Sequence, residues 1–164
     1  MLRPRSDPNA TAHNRTVFTL VRTPAGMKVG FTGTQDGMTM RQHRKLAAIL
    51  RGLDVSEFHH GDCIGSDAEA HVIAQSLGIR VVVHPPEIDA KRAFVALSRG
   101  TAQRHADDIR VPRPYLKRNH DIVSACELLI ATPKGHREQR RSGTWATIRF
   151  AKFSYGVEVL IIEP

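Results

Sequence analysis

Three turns rich in glycine and hydroxyl side chains carry the chemistry this chain offers. They are Gly30-Phe31-Thr32-Gly33-Thr34, Gly61-Asp62-Cys63-Ile64-Gly65-Ser66-Asp67 and Arg141-Ser142-Gly143-Thr144-Trp145-Ala146-Thr147. Each follows or precedes an apolar run, and the last two open helices. Backbone N–H groups at a helix start are unpaired and sit at the positive end of the helix dipole, so such turns hold anions. Glycine lets a ligand approach the main chain closely. The expected chemistry is the cradling of a phosphate and its ribose. Gly33, Thr34, Gly61, Asp62, Gly65, Ser66, Asp67, Ser142, Gly143, Thr144 and Thr147 are the candidate ligand contacts.

Other reactive groups lie close to these turns. Ser66 and Asp67 suit a helix cap as well as a ligand. Asp67 and His71 are four apart on one helix face, as a structural pair or as an acid–base couple. Cys63 precedes a helix start, which lowers a thiol pKa, but no base is placed beside it to make it a nucleophile. His59 and His60 are neighbours on a strand and face opposite sides, which argues against a zinc site shared with Cys63. No metal and no cofactor is expected. Arg118 and Asn119 interrupt the apolar face of a helix that begins near the turns, where an Arg fork suits a phosphate; Tyr115 stacks on a base or packs. Trp145 and Ile148 read as core or as contacts to a second copy, and residues 134–141 as a basic lid or a solvated loop. Neither a Gly-x-Gly-x-x-Gly fingerprint nor a P-loop pattern occurs.

Alternating strands and helices must position these groups. Strands are expected at residues 28–31, 55–60, 79–84, 128–131 and 157–162. Helical spacing places Met40, His43, Leu46, Ala47, Leu50 and Leu53 on one inward face, with Thr39 as cap. A second helix runs from Ser66 to Leu77 with Ala68, Val72, Ile73 and Leu77 inward, closed by Gly78. Further helices run from near Pro114 to Ala125 and from Ser142 to about Ser154; one more is expected over residues 90–97. Nearly all-apolar strands with short connections imply a parallel sheet covered on both faces. Right-handed crossovers then gather every strand-to-helix turn at one sheet edge. The fold class expected is α/β, a Rossmann-like three-layer domain with a mostly parallel sheet of about five to seven strands.

The totals set outer bounds. A chain of 164 residues, 41% hydrophobic and 24% charged, suits one domain over residues 27–164. Residues 1–26 lack periodicity and read as a flexible basic extension, although residues 17–21 are apolar enough to add a strand. No run approaches the roughly 18 apolar residues of a membrane span. The start has no apolar signal core, and Cys63 and Cys126 are too few for a disulfide framework, so a cytoplasmic protein with reduced thiols is expected. The net charge of +8 favours polyanionic partners. Its placement in one tail and one loop suits a nucleotide better than a nucleic-acid groove.

The order Gly30-Phe31-Thr32-Gly33, Gly61-Asp62-x-x-Gly65-Ser66-Asp67-x-x-Ala70-His71, Arg118-Asn119 and Ser142-Gly143-Thr144 resembles the SLOG superfamily. That group includes the Lonely Guy (LOG) nucleotide phosphoribohydrolases, the molybdenum-cofactor carrier proteins and the Rossmann domain of the DNA-processing protein DprA. The DprA-like motif order is the nearest, and the resemblance covers residues 27–164. It implies a nucleotide or nucleotide-derived ligand, held by the turns and clamped by Arg118 and Asn119, in a homodimer or higher homo-oligomer. An apolar region around Trp145, Ile148 and Phe150 is expected to serve that association. Two alternatives stay open: N-glycosidic hydrolysis of nucleoside monophosphates, and single-stranded nucleic-acid binding of the DprA type. For hydrolysis, LOG enzymes use a glutamate where this chain has Thr147, so Asp67 or Asp62 would have to supply the carboxylate, with Asp121 a further acid.

Overall fold

A computed structural model describes residues 26–95 and 106–164. Six strands form one parallel sheet in the order β4-β3-β2-β1-β5-β6. In chain order the elements are β1 (Met27–Gly33), α1 (Met40–Gly52), β2 (Val55–His60), α2 (Ser66–Ser76), β3 (Arg80–Val83), β4 (Asp108–Ile109), α3 (Tyr115–Ser124), β5 (Leu128–Thr132), α4 (Gly143–Arg149) and β6 (Glu158–Ile161). The expected Rossmann-like α/β architecture is the one observed. β1 lies at the centre, between β2 and β5, and the direction of build reverses there. In open parallel sheets that reversal opens a crevice beyond the carboxyl ends of the strands.

Strand burial follows from composition. β5 is apolar through Ala131 and wholly buried, as a strand covered on both faces must be. Val29 and Phe31 of β1 join Leu46, Leu50, Ala70 and Ala74 in the main core under α1 and α2. Gly30 points the other way, and a side chain there would press on Cys126 Sγ at 2.7 Å and Ile122 at 3.2 Å, so its absence lets α3 close on the sheet. β1 runs on to Gly33 because Thr32 and Gly33 pair with Ala131 and Thr132.

Several helix details differ from expectation. α1 has the expected Thr39 cap, completed by Gln42 as a capping box. Yet Met40 is exposed and Gln42 is buried, donating through Nε2 to Pro133 O and Ile162 O at 2.9 Å each. This ties α1 to the ends of β5 and β6. In α2 the buried face is Ser66, Asp67, Ala70, His71 and Ala74, while Val72 faces solvent. The helix turns its small and polar side inward because it starts directly against β1: a Cβ on Gly33 would overlap Ser66 Cβ. The last expected helix is split into α4 and a π-helical turn (Phe150–Tyr155), which Gly156 ends at φ +63°. In its described part the helix expected over 90–97 is only a 3₁₀ turn at Asp89–Lys91. Residues 1–25, including the apolar run 17–21, and residues 96–97 lie outside the described residues.

Gly65 is where the turn geometry is most demanding. It sits at φ +82°, and a side chain would strike Gln35 O. Both penalties fall on backbone, which cannot move aside. Gly65→Ala is therefore expected to destabilise the fold by ~2 kcal/mol or more, read as a lower urea midpoint. A midpoint like that of the parent would contradict this packing.

His59 and His60 do face opposite sides of β2. His60 Nδ1 accepts the Asp62 N–H at 3.1 Å, so its Nε2–H donates to His71 Nδ1 at 2.9 Å. His59 pairs with His84 at 3.0 Å and with Glu57 at 3.2 Å. Burial holds His59 and His60 below the usual histidine range and pushes His84 down to about 3. The unfolded chain protonates these rings near 6.5 and the folded chain resists, so their contribution is complete above pH 6.5 and is lost as pH falls toward 3. In Asp67→Asn, which removes a buried carboxyl whose titration runs the opposite way, the melting temperature is expected to drop steadily between pH 6.5 and 4. A flat profile across that window would refute the neutral histidine pairs.

Candidate functional site

A crevice of about 580 Å³ opens beyond the carboxyl ends of β1, β2 and β5. Its walls come from four places: the β1–α1 turn (Thr32 to Asp36), the start of α2 (Cys63, Asp67), the start of α3 (Tyr115, Leu116, Arg118, Asn119) and the loop into α4 (Lys134, Gln139 and Arg141 to Thr144). A fifth element, the segment with Ile88, Ala90 and Lys91, closes one side. Of the predicted contacts, Gly33, Thr34, Asp67, Arg118, Asn119, Ser142, Gly143 and Thr144 line this space together. Gly61, Asp62, Gly65, Ser66 and Thr147 do not.

Each of those five has an internal task. The Arg118 guanidinium lies directly on Gly61, its Nη1 occupying the place of the missing side chain. The close approach that Gly61 permits is thus made by a residue of the chain itself. Gly65 packs on Gln35. Ser66 is the first residue of α2 rather than its cap. Its N–H and hydroxyl both donate to Thr34 O, at 3.1 and 2.7 Å. That opening of α2 is sealed by protein. Thr147 donates its hydroxyl to Gly143 O at 2.9 Å.

Asp62 is a clamp. It is fully buried at φ +56°. One carboxylate oxygen takes the Arg92 Nε–H at 2.7 Å and the other the Val95 N–H at 3.1 Å, while its carbonyl takes the Ala93 N–H at 2.7 Å. These bonds strap residues 88–95 over the β2–α2 turn and so hold Ile88 and Lys91 at the crevice wall. Its carboxylate is occupied by structure, which removes it as a candidate acid. Sequence periodicity did not reveal this strap; only Pro85-Pro86 marks its start.

Asp67 and Arg118 form the floor. Asp67 does not pair with His71, which instead meets His60. Its Oδ2 folds back to accept the N–H groups of Gly61 and Cys63 at 3.1 and 3.2 Å. Burial pushes its carboxyl up to about 6, against the pull of Arg118 and these two N–H groups. Arg118 is 6% exposed. It donates Nη2–H to Cys63 Sγ at 3.2 Å and lies 5.5 Å from the Tyr115 ring centre. Its Nε is buried with no hydrogen-bond partner among the described residues. Burial raises the Cys63 thiol to about 11, so desolvation outweighs the helix start and the thiol is not an activated nucleophile. Lys91 and Arg141 add positive charge, and Lys134 pairs with Asp36 at 2.7 Å across the mouth.

Trp145 and Ile148 are core residues packed on Ala131, Val159 and Ile161, and Phe150 stacks on His120. The exposed aromatic residues nearby are Phe153 and Tyr155. No helix among the described residues is long and apolar enough to cross a membrane.

The Asp67 shift has a sign that can be checked. The carboxyl titrates near 3.8 when unfolded and near 6 when folded, so stability falls as pH rises through that window. Above pH 7 the ionised form weakens the fold. Asp67→Asn keeps an oxygen for Gly61 and Cys63 and removes the charge. It is expected to raise the melting temperature by several degrees at pH 7.5 and to leave it nearly unchanged at pH 4. A large loss at pH 7.5 would show that the carboxylate stabilises the fold.

No family model matches the chain, and no curated protein does. Solved structures do match it. DNA processing protein A from Streptococcus pneumoniae superposes with a TM-score of 0.63 at 18% identity, over 85% of this chain and 51% of that one. The same protein from Helicobacter pylori, described for its single-stranded DNA binding mode, gives 0.61 at 17% identity, over 85% of this chain and 66% of that one. A structural-genomics target, TM1055, gives 0.56 at 12% identity, over 81% and 72%. The chain spans about half the length of the Streptococcus protein and two thirds of the Helicobacter one. These likenesses show that the chain shares a Rossmann-like α/β fold with DNA processing protein A and TM1055.

Proposed function

We propose that the chain binds a nucleotide or nucleotide-derived ligand in the crevice, anchored by its phosphate on Arg118. The observation that carries this is the Arg118 Nε, buried and unpartnered in the wall of an open cavity. A buried guanidinium is expensive without hydrogen-bond acceptors, and its nearest carboxyl, Asp67, is itself driven toward the neutral form. An anion seated on the part of the guanidinium that lines the crevice offsets this charge. Thr34, Asn119, Ser142, Gly143 and Thr144 surround the same space with small polar groups, and a Cβ at Gly143 would meet nothing within 4 Å. Lys91 and Arg141 reinforce the charge. Trp145 and Ile148 are packed in the core and Phe150 stacks on His120, so the self-association we propose would use the exposed Phe153 and Tyr155 in their place.

A second reading has a specific observation behind it. A carboxyl that titrates near 6 at the wall of a nucleotide crevice suits a general acid, so Asp67 is the residue to protonate a leaving base in N-glycosidic hydrolysis. Thr147, bonded to Gly143 O, supplies no carboxylate to support the sugar.

Thermal melts separate these readings. A nucleoside monophosphate at 100 times its Kd is expected to add about 2.7 kcal/mol of stability, while the corresponding nucleoside adds little. Arg118→Ala is expected to abolish the shift. Release of free base, seen by chromatography and lost in Asp67→Asn, establishes hydrolysis. A response confined to single-stranded oligonucleotides, collapsing with added salt and surviving Arg118→Ala, would overturn the crevice reading in favour of nucleic-acid binding.

A further inference from the structure

The floor of the crevice poses a problem for any anion. The seat offered by Arg118 adjoins a second acidic group: Gly61 is crowded by Arg118 Nη1 on its open side and, 3.0 Å from the same point, by Asp67 Oδ2. Both residues line the cavity. An anion that reaches Arg118 shares one cavity with the Asp67 carboxyl, and the two side chains are only 6% and 5% exposed. Two negative charges sharing one desolvated site cannot both be accommodated; one must take a proton.

We propose that Asp67 is the proton-holding group of this crevice, so that an anionic ligand enters together with one proton. The inference rests on the anion-binding reading above and adds its regulation. The step is simple: a proton moves from solvent to an Asp67 oxygen, and no bond of the ligand breaks. Oδ2 is already held by the N–H groups of Gly61 and Cys63, which leaves Oδ1 to carry the proton. The protonated carboxyl then becomes a donor, able to hydrogen-bond the anion instead of repelling it.

The surroundings leave Asp67 well placed to titrate in the neutral range. α3 presents Arg118, and the β2–α2 turn presents Asp62 and Cys63. Asp62 is locked to Arg92 of the strap, and the Cys63 thiol stays protonated to about 11. The strap also brings Lys91, the α4 loop Arg141, and the β1–α1 turn the Asp36–Lys134 pair. Four residues along α2 lies His71, bonded to His60, whose own ring burial keeps neutral. The empty site titrates near 6, and a bound anion raises that value further. Affinity should then be level below pH 6 and weaken by up to tenfold per pH unit above it, until Asp67 loses its proton even in the complex.

The test is calorimetric titration of the full chain. A nucleoside monophosphate at pH 7.5, in two buffers of different ionisation enthalpy, counts protons. Inorganic sulfate, whose charge is constant between pH 6 and 8, reports the pH slope without titration of the probe. Wild type is expected to take up a fraction of a proton or more with the monophosphate, and to bind sulfate at least fivefold more weakly at pH 8 than at pH 6. Asp67→Asn is expected to show no pH slope with sulfate and to bind it at pH 8 about as wild type does at pH 6. Sulfate affinity that is independent of pH in wild type overturns the proton linkage alone, as does a slope that survives Asp67→Asn. Failure of both probes to bind at any pH overturns the anion-binding reading itself. The wild-type proton count stands even if the variant folds poorly.

Discussion

The Arg118 guanidinium lying on Gly61 is the contact around which the site is organised. A cation at 6% exposure has to be brought in by the fold, and three features do so. Gly61 has no side chain where Nη1 rests. α3 starts at Tyr115, placing Arg118 in its first turn under that ring. The β2–α2 turn then curls so that Cys63 Sγ accepts from Nη2 and Asp67 folds back beneath. A larger residue at position 61 would expel the guanidinium, and the crevice would lose its central charge with little change to the sheet.

Asp62 and Asp67 show how position decides what a carboxylate does. They are five residues apart in one turn and both are buried. Asp62 meets a guanidinium and a backbone N–H, one on each oxygen, and becomes a structural clamp for the strap over residues 88–95. Asp67 receives its two N–H groups on a single oxygen and faces open space on the other side. Desolvation therefore dominates for Asp67. Two residues that are not glycine, Asp62 and Phe94, adopt positive φ beside the short antiparallel contact of Cys63 with Arg92, in which Asp62 lies opposite Ala93. Closing the crevice wall offsets the strain of both.

Much of the scaffold is readable in the chain because its signals are local. The β-branched run Val81-Val82-Val83, the apolar Leu128-Leu129-Ile130-Ala131 and the Thr39 cap each follow from a few neighbouring residues. β4, at two residues, has no periodicity to detect, and the strap before it is held by Asp62, thirty residues upstream. The inward face of α2 misleads for a related reason. Apolar spacing selects Val72, whereas contact with β1 at Gly33 selects Ser66, Asp67 and Ala70, small or polar residues that let the helix approach. Glycine identity was likewise legible but glycine purpose was not. Gly33, Gly61 and Gly65 make room for other parts of the protein, and Gly143 is the one in the predicted cradle that a side chain would leave in open space.

The polar groups of α2 and β2 are more than packing requires. Ser66, Asp67, His71, His59 and His60 all lie within about 5% exposure, where apolar residues would fill the same volume with less desolvation. Ser66, His60 and Asp62 are satisfied by geometry and shape the turn. Asp67 stands apart, because its ionised form weakens the fold at neutral pH while its position commands the crevice. Retaining a destabilising carboxyl against a guanidinium with an empty donor is intelligible if the occupied site, not the empty one, is the state the turn is built for. In the occupied state proposed above, the ligand anion would meet Arg118 and the proton on Asp67, and each buried group would gain a partner.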